Sequence, residues 1–287
     1  MGGVLSVSAP VSSSSASGYP FSQTHFKFVQ AFMLNETGIS LADKKKSMVY
    51  GRLARCLRRT GVANFDDYFA LVEKSADERV AFINALTTNK TQFFRERHHF
   101  DFLAHQLIPQ WQQRKQKRVR MWSAGCSTGE EPYTIASVLA GHGMIGGQMD
   151  VHLLATDLDT QVLNTASNGT YSLEVVNTIP PEYLKPGFLK GKGIKQDLFK
   201  AKRALRDIIS FKQLNLKGDW PHKHAMDAIF CRNVMIYFER ETQQWLIERF
   251  WRQLAPGGIL FIGHSEGIGK MADKFDNLGH TMYRKRE

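Results

Sequence analysis

The 287-residue sequence predicts an α/β protein in two parts, an all-helical domain and then a parallel-sheet domain carrying a small insertion. Three observations predict it. No convincing β-prone run precedes Val119, whereas apolar residues recur at helical spacing through most of the first ninety positions. After Val119, short apolar runs alternate with amphipathic segments, which is the order of a parallel α/β sheet. Between the two, the stretch VRMWSAGCSTGEEPYTIASVL (119–139) reads as strand, tight loop and helix in immediate succession.

Taken in order, residues 1–22 form a serine-rich tail, expected to be disordered. It lacks the charged start and continuous apolar run of a signal peptide. Residues 23–111 are expected to be the helical domain. Phe26, Phe28, Val29, Phe32 and Met33 make one apolar face, and in GISLAD either Ser40 or Asp43 is placed to cap the next helix. That helix, 44–59, is basic: Lys44, Lys45, Lys46, Arg52, Arg55, Arg58 and Arg59 lie beside the apolar series Met48, Val49, Leu53 and Leu57. A solvated helix face is the ordinary reading of such a run, and docking to an acidic partner is the competing one. Residues 65–72 and 78–86 repeat the helical signature. A polar, then aromatic, then charged segment, TTNKTQFFRERHHF, leads into a helix ending near Trp111, where Arg95 follows Phe93 and Phe94 and should be held rigidly.

The second domain, 112–287, starts with the charged connector QQRKQKR and the strand 119–124. Glycine adds no Cβ, so the loop from Gly125 to Gly129 lets a ligand approach the backbone. It does not resemble a phosphate cradle, because the lysine of GxxxxGK(S/T) is absent and Glu130 and Glu131 stand where the helix begins. Negative charge there suits the helix dipole but repels phosphate. The ligand should therefore be a nucleoside without a pyrophosphate and with a cation, a description that S-adenosylmethionine fits. The alternative, that both glutamates only stabilise the helix start, stays open at this point.

The strand 151–156 ends in Asp157, placed to accept hydrogen bonds from ribose hydroxyls, as in dinucleotide-binding folds. A helix-capping aspartate is the rival reading. Residues 171–214, rich in proline, glycine and lysine and closing on a strand at 208–211, interrupt the alternation and are expected to form a small recognition subdomain. The strand 227–231 follows, with Arg232, Asn233 and Tyr237 at its carboxyl end, on the crevice that Gly125 and Asp157 share. An amphipathic helix, 241–254, is stopped by Pro256, Gly257 and Gly258; strands at 259–262 and 281–284 complete the sheet, with His264–Glu266 as a loop between them.

Composition sets limits. Hydrophobic residues make up 43% and charged residues 23%, ordinary for a globular protein, and no apolar run approaches the ~20 residues of a membrane span. Cys56, Cys126 and Cys231 are too few and too dispersed for a disulfide framework or a metal site, so reduced cysteines, no metal and a cytoplasmic location are expected. The net charge of +11 predicts an acidic partner, either nucleic acid or protein.

In that order, SAGCSTGEEPYTIA, ATDLDTQVLNTA, FCRNVMIYF and GGILFIGHSE resemble the CheR-type chemotaxis receptor methyltransferases, and GISLADKKKSMVYGRL with NKTQFFRE matches that family's amino-terminal domain. The resemblance covers about 26–284. It implies a Rossmann-like S-adenosylmethionine-dependent enzyme that esterifies receptor glutamates, releasing S-adenosylhomocysteine. By motif it implies a cofactor site of Asn89, Thr91, Arg95, Gly125, Glu131 and Asp157, joined by Asn215 and Leu216 beside the adenine and by Arg232 and Asn233. Arg95 and Tyr237 are implied at the reaction centre. The insertion resembles the family's β-subdomain, which in some members docks a receptor carboxyl-terminal peptide. The expected partner is thus the acidic cytoplasmic signalling domain of a methyl-accepting receptor, met by a monomer without membrane insertion. A nucleic-acid methyltransferase would also use the charge. However, the Asn-Pro-Pro-aromatic motif common to amine-methylating enzymes is replaced here by Arg232-Asn233-Val234-Met235, and no RNA-binding signature is present.

Overall fold

The computed structural model describes residues 18–221 and 224–286. The tail expectation for 1–17 lies outside them. Four helices make the amino-terminal domain: α1 (Gln23–Thr37), α2 (Lys46–Thr60), α3 (Phe65–Lys74) and α4 (Ala76–Leu86). Local chemistry sets their ends. Ser22 and His25 form a reciprocal capping box at α1, Asn64 and Ser75 accept the first amide hydrogen bonds of α3 and α4, and Gly38 and Gly61 close α1 and α2 at φ 78° and 72°. Neither expected cap serves α2, whose start has no side-chain cap. Asp43 opens a 3-10 turn, Asp43–Lys45, and its carboxylate accepts from Gln30 instead. Phe26, Val29, Met33, Leu53, Leu57 and Phe82 are sealed in this domain's core.

Helices α5 (His98–Phe102) and α6 (Ile108–Gln113) are joined by a π-wound stretch, Leu103–Leu107, and deliver the chain into the sheet. The sheet has seven strands in the order β6-β2-β1-β7-β8-β10-β9: β1 (Arg118–Ala124), β2 (Asp150–Asp157), β6 (Ile209–Gln213), β7 (Met226–Cys231) and β8 (Leu254–Ile262) run parallel, β10 (Met282–Lys285) pairs antiparallel with β8, and β9 (Phe275–Asn277) pairs antiparallel with β10. Period-two alternation sorts each central strand between two cores. Met121, Phe230 and Phe261 join the core under α7 (Glu130–Gly141), and Trp122, Ile229 and Leu260 join the one under α12 (Arg240–Gln253). Chain order reverses between β1 and β7, the switch point where an open α/β sheet leaves a crevice.

Helix α8 (Thr160–Asn168) follows β2. A separate three-stranded sheet then forms from β3 (Thr170–Ser172), β4 (Phe188–Lys190) and β5 (Leu198–Ala201) in the order β3-β5-β4, with α9 (Leu173–Val176) and α10 (Pro181–Gly187) packed around it. The expected insertion boundary, 171–214, runs too far. Past α11 (Arg203–Asp207), strand β6 pairs with β2 from Leu153↔Ile209 to Asp157↔Gln213 and belongs to the main sheet. Its apolar residues find their partner in β2, far away in sequence.

The helical domain closes over the crevice. Ile39 bridges Phe238, Ser40 N–H donates to the Tyr237 carbonyl at 2.8 Å, and Asn84 and Thr87 reach Thr160 and Asp159.

Candidate active site

At the switch point an open cleft lies between the two domains, where ligands of open α/β sheets bind. Each residue named from sequence lines it: Asn89, Thr91 and Arg95 from the interdomain segment, Gly125, Glu131 and Asp157 from β1, α7 and β2, Asn215 and Leu216 after β6, and Arg232, Asn233 and Tyr237 after β7. Gly125 lines it, and Gly129 ends the same loop. Gly125 sits at φ 86°, where an added Cβ would run into Val234, and Gly129 at φ 98°, where one would lie 2.7 Å from the Tyr171 hydroxyl.

The two aspartates of TDLD divide the labour that the sequence left open. Asp159 is the helix cap, accepting from the Gln161 and Val162 amides, and it also receives the Thr87 hydroxyl and the Asn89 amide at 2.7 Å. Asp157 is thereby left to the cleft. One of its oxygens accepts from Ser127 N–H at 2.8 Å, the other from Asp159 N–H at 2.9 Å, so each keeps a lone pair. Burial pushes its carboxyl up, against those two hydrogen bonds.

Glu131 is more than a helix-start charge. It accepts the Ser123 hydroxyl at 2.7 Å and the Arg232 guanidinium at 3.0 Å. Arg232, with a side chain 2% exposed, also lies 3.5 Å from Glu96, donates to the Arg95 carbonyl and stands 5.2 Å over the Phe100 ring. Burial alone would raise the Glu96 carboxyl; the His264 hydrogen bond, the Arg232 charge and the Asn233 amide overcome it and hold it at about 2. His99 is sealed behind them, lowered to about 3 by burial and by Arg232, with Nε2–H donating to the His280 carbonyl. Glu96, His98 and His99 offer ligand atoms within 4.8 Å of one another, but a cation there would meet the guanidinium that Glu96 already faces.

Some side chains lining the cleft are committed elsewhere. Asn215 donates to the Glu36 carbonyl and accepts from Lys217 N–H, so its amide ties the domains together. Asn89 is likewise tied to Asp159. Arg95 is half-buried and donates to the Lys90 carbonyl at 3.0 Å. By contrast, among the described residues Asn233 Oδ1 is buried without a hydrogen-bond partner. Reading the sequence missed Glu96 and Asp159. Their only local signals are the end of FFRE and the cap position before Thr160.

A crevice at the switch point of a parallel sheet, lined by Gly125 and by carboxylates where a phosphate binder presents lysine, defines an S-adenosylmethionine-dependent methyltransferase. The match is to one family in particular: the family models described as "CheR methyltransferase, all-alpha domain" and "CheR methyltransferase, SAM binding domain" match residues 24–87 and 89–284. The chain belongs to the CheR methyltransferases. It is 42% identical over 266 residues to the chemotaxis protein methyltransferase of Salmonella typhimurium, covering 91% of this chain and 90% of the relative. It is 40% identical to chemotaxis protein methyltransferase 2 of Pseudomonas aeruginosa, covering 92% and 94%. Among the described residues, no helix is long and apolar enough to cross a membrane.

Proposed function

We propose that this protein methylates glutamate side chains on the cytoplasmic signalling domain of chemotaxis receptors, forming glutamyl methyl esters for adaptation. The observation that carries the reading is one cleft holding two opposed sets of charge. Glu131 and Asp157 suit a nucleoside bearing a cation, while Arg95, with Lys45 standing 5.2 Å from the Tyr237 ring, suits an anionic acceptor. S-adenosylmethionine, when bound, supplies an electrophilic methyl on a sulfonium. Asp157 would accept from its ribose, Glu131 and Asn233 Oδ1 would take its amino group, and Leu216 would border its base.

A glutamate has an ordinary pKa of about 4.3 and is already a nucleophile at neutral pH, so no general base is required. Its carboxylate oxygen takes the methyl, the sulfonium becomes a thioether, and no proton moves. The work of the site is alignment. Arg95 holds the carboxylate and Tyr237 orients it.

The α2 face supports electrostatic docking of a monomer on an acidic helical receptor. Arg59 is spent on Glu78 and Arg52 on the carbonyls ending α4, but Lys44, Arg55 and Arg58 stay exposed. The small sheet supports a second contact. Its outer strand β4 and the exposed Leu189, Ile194 and Leu198 suit an extended receptor carboxyl-terminal peptide. The test is transfer of labelled methyl from S-adenosylmethionine to a receptor cytoplasmic fragment, then mild base. Volatile methanol is expected from an ester; base-stable label would refute the glutamate assignment.

A further inference from the structure

We infer that Glu266, in the loop after β8, is a positioning residue for methyl transfer: its carboxylate fixes the turn after β7 that carries Asn233 and Tyr237. The inference rests on the proposed reaction for its kinetic consequence, though not for its geometry.

The carboxylate of Glu266 spans the gap between two strand ends. One oxygen accepts from Asn233 N–H at 3.0 Å and from Gly263 N–H at 2.6 Å; the other accepts from Ile236 N–H at 3.2 Å. One side chain thus grips both ends of the stretch from Asn233 to Ile236, and Tyr237 is the next residue. Asn233 sits at φ 59°, a left-handed conformation that asparagine accommodates more readily than most side chains, so the grip fixes a turn suited to this residue. Gly263 allows it: an added Cβ would lie 2.5 Å from Asn233 Nδ2 and 2.8 Å from its backbone nitrogen.

Among the described residues Glu266 forms no ion pair, and its charge is met by amide dipoles alone. Burial pushes its carboxyl up, which the same hydrogen bonds resist. A carboxylate kept in so costly a place, taking two backbone donors from one turn and a third from its own loop, holds that turn.

The two ends of the turn are not held equally. At Asn233 a second carboxylate helps, since Glu96 accepts from Asn233 Nδ2 at 3.3 Å. Glu266 is the side chain that grips Ile236 N–H, the amide immediately before Tyr237. Loosening Glu266 should therefore disturb Tyr237 more than the cofactor wall.

Glu266→Gln keeps the size but leaves one accepting oxygen, and its amide NH2 then faces backbone N–H donors from which it cannot accept. Its kcat on a receptor fragment is expected to fall about tenfold or more, while affinity for S-adenosylhomocysteine changes less than about threefold. Amide hydrogen exchange at 233–237 should quicken about tenfold, with exchange in β1 and β2 unchanged. Glu266→Asp, which keeps the charge but shortens the reach, should fall between the two, and it carries the test should the glutamine variant fail to fold. Wild-type kcat, a kcat loss without faster exchange at 233–237, or a cofactor-affinity loss as large as the kcat loss would each overturn the inference. A wild-type enzyme releasing no methanol from the receptor would instead sink the reaction, and the exchange comparison with S-adenosylhomocysteine would still decide whether the clamp exists.

Discussion

Replacing Arg232 with Met keeps the length of the side chain and removes its charge from between Glu131 and Glu96. The native guanidinium is buried, 3.0 Å from one carboxylate and 3.5 Å from the other, and satisfies the Arg95 carbonyl as well. Two carboxylates whose side chains are each 12% exposed, and a carbonyl, would then lose that donor together. Breaking a buried pair from one side costs about 3–5 kcal/mol, because the stranded charge pays its desolvation without compensation. At roughly 2–4 °C per kcal/mol for a domain of this size, the melting temperature should fall by roughly 6–20 °C, read by circular dichroism or calorimetry. A melting temperature within about 2 °C of wild type would refute the reasoning.

The origin of the loss can be tested by pH. In the native protein the Glu96 carboxyl is held at about 2, below its unfolded value, so its contribution is present above about pH 4.3 and is lost as pH falls toward 2. Without Arg232, burial weighs more heavily and raises that carboxyl. The variant's native state then takes up protons that the wild type does not, and its deficit should narrow as pH drops from about 8 to about 5. An equal deficit at both values would assign the loss to packing. Adding Glu96→Gln to Arg232→Met should recover part of the stability for the same reason.

Other outcomes follow from the same geometry. Asp157→Asn should weaken S-adenosylhomocysteine binding by about 10–100-fold in calorimetry, the worth of a hydrogen bond to a charged acceptor, and wild-type affinity would deny Asp157 its ribose role. In the unaltered protein that affinity should weaken as pH falls, since burial raises the Asp157 carboxyl and protonation removes an acceptor; an affinity that stays constant across the acid range over which the protein remains folded would count against it. Arg95→Ala should cut turnover by about tenfold or more with a smaller loss of cofactor affinity, and unchanged turnover would remove it from the reaction centre. The Michaelis constant for a receptor fragment should rise with salt, and Lys44→Glu with Arg55→Glu should flatten that dependence; a salt-independent constant would refute electrostatic docking along α2.

What the sequence by itself determined is what local physics decides. The strand, glycine loop and helix of 119–139 lie within one short stretch, so composition and periodicity suffice to read them, and the same holds for the helical run that precedes Val119. The absence of a phosphate-binding lysine beside Glu130 and Glu131 is likewise a local fact, and it pointed to the class of ligand before any contact was known. Because motifs at strand ends must meet at the crevice of a parallel sheet, every site position named from sequence lines one cleft.

Tertiary structure decided the rest, since each remaining choice depends on partners distant in sequence. Strand β6 looked like part of the insertion until its pairing with β2 placed it in the main sheet. Asp157 and Asp159 are two positions apart and alike in chemistry; one Asp159 oxygen caps the next helix locally, and Thr87 and Asn89, some 70 residues earlier, take the other and leave Asp157 to the cleft. Glu96 and Asn233 stand 137 residues apart, and nothing along the chain announces that one carboxylate will hold the other's amide. Burial converts such meetings into energy: an exposed glutamate beside an arginine contributes little, whereas Glu96 and Glu131, closed around a guanidinium that water scarcely reaches, cannot lose it without cost.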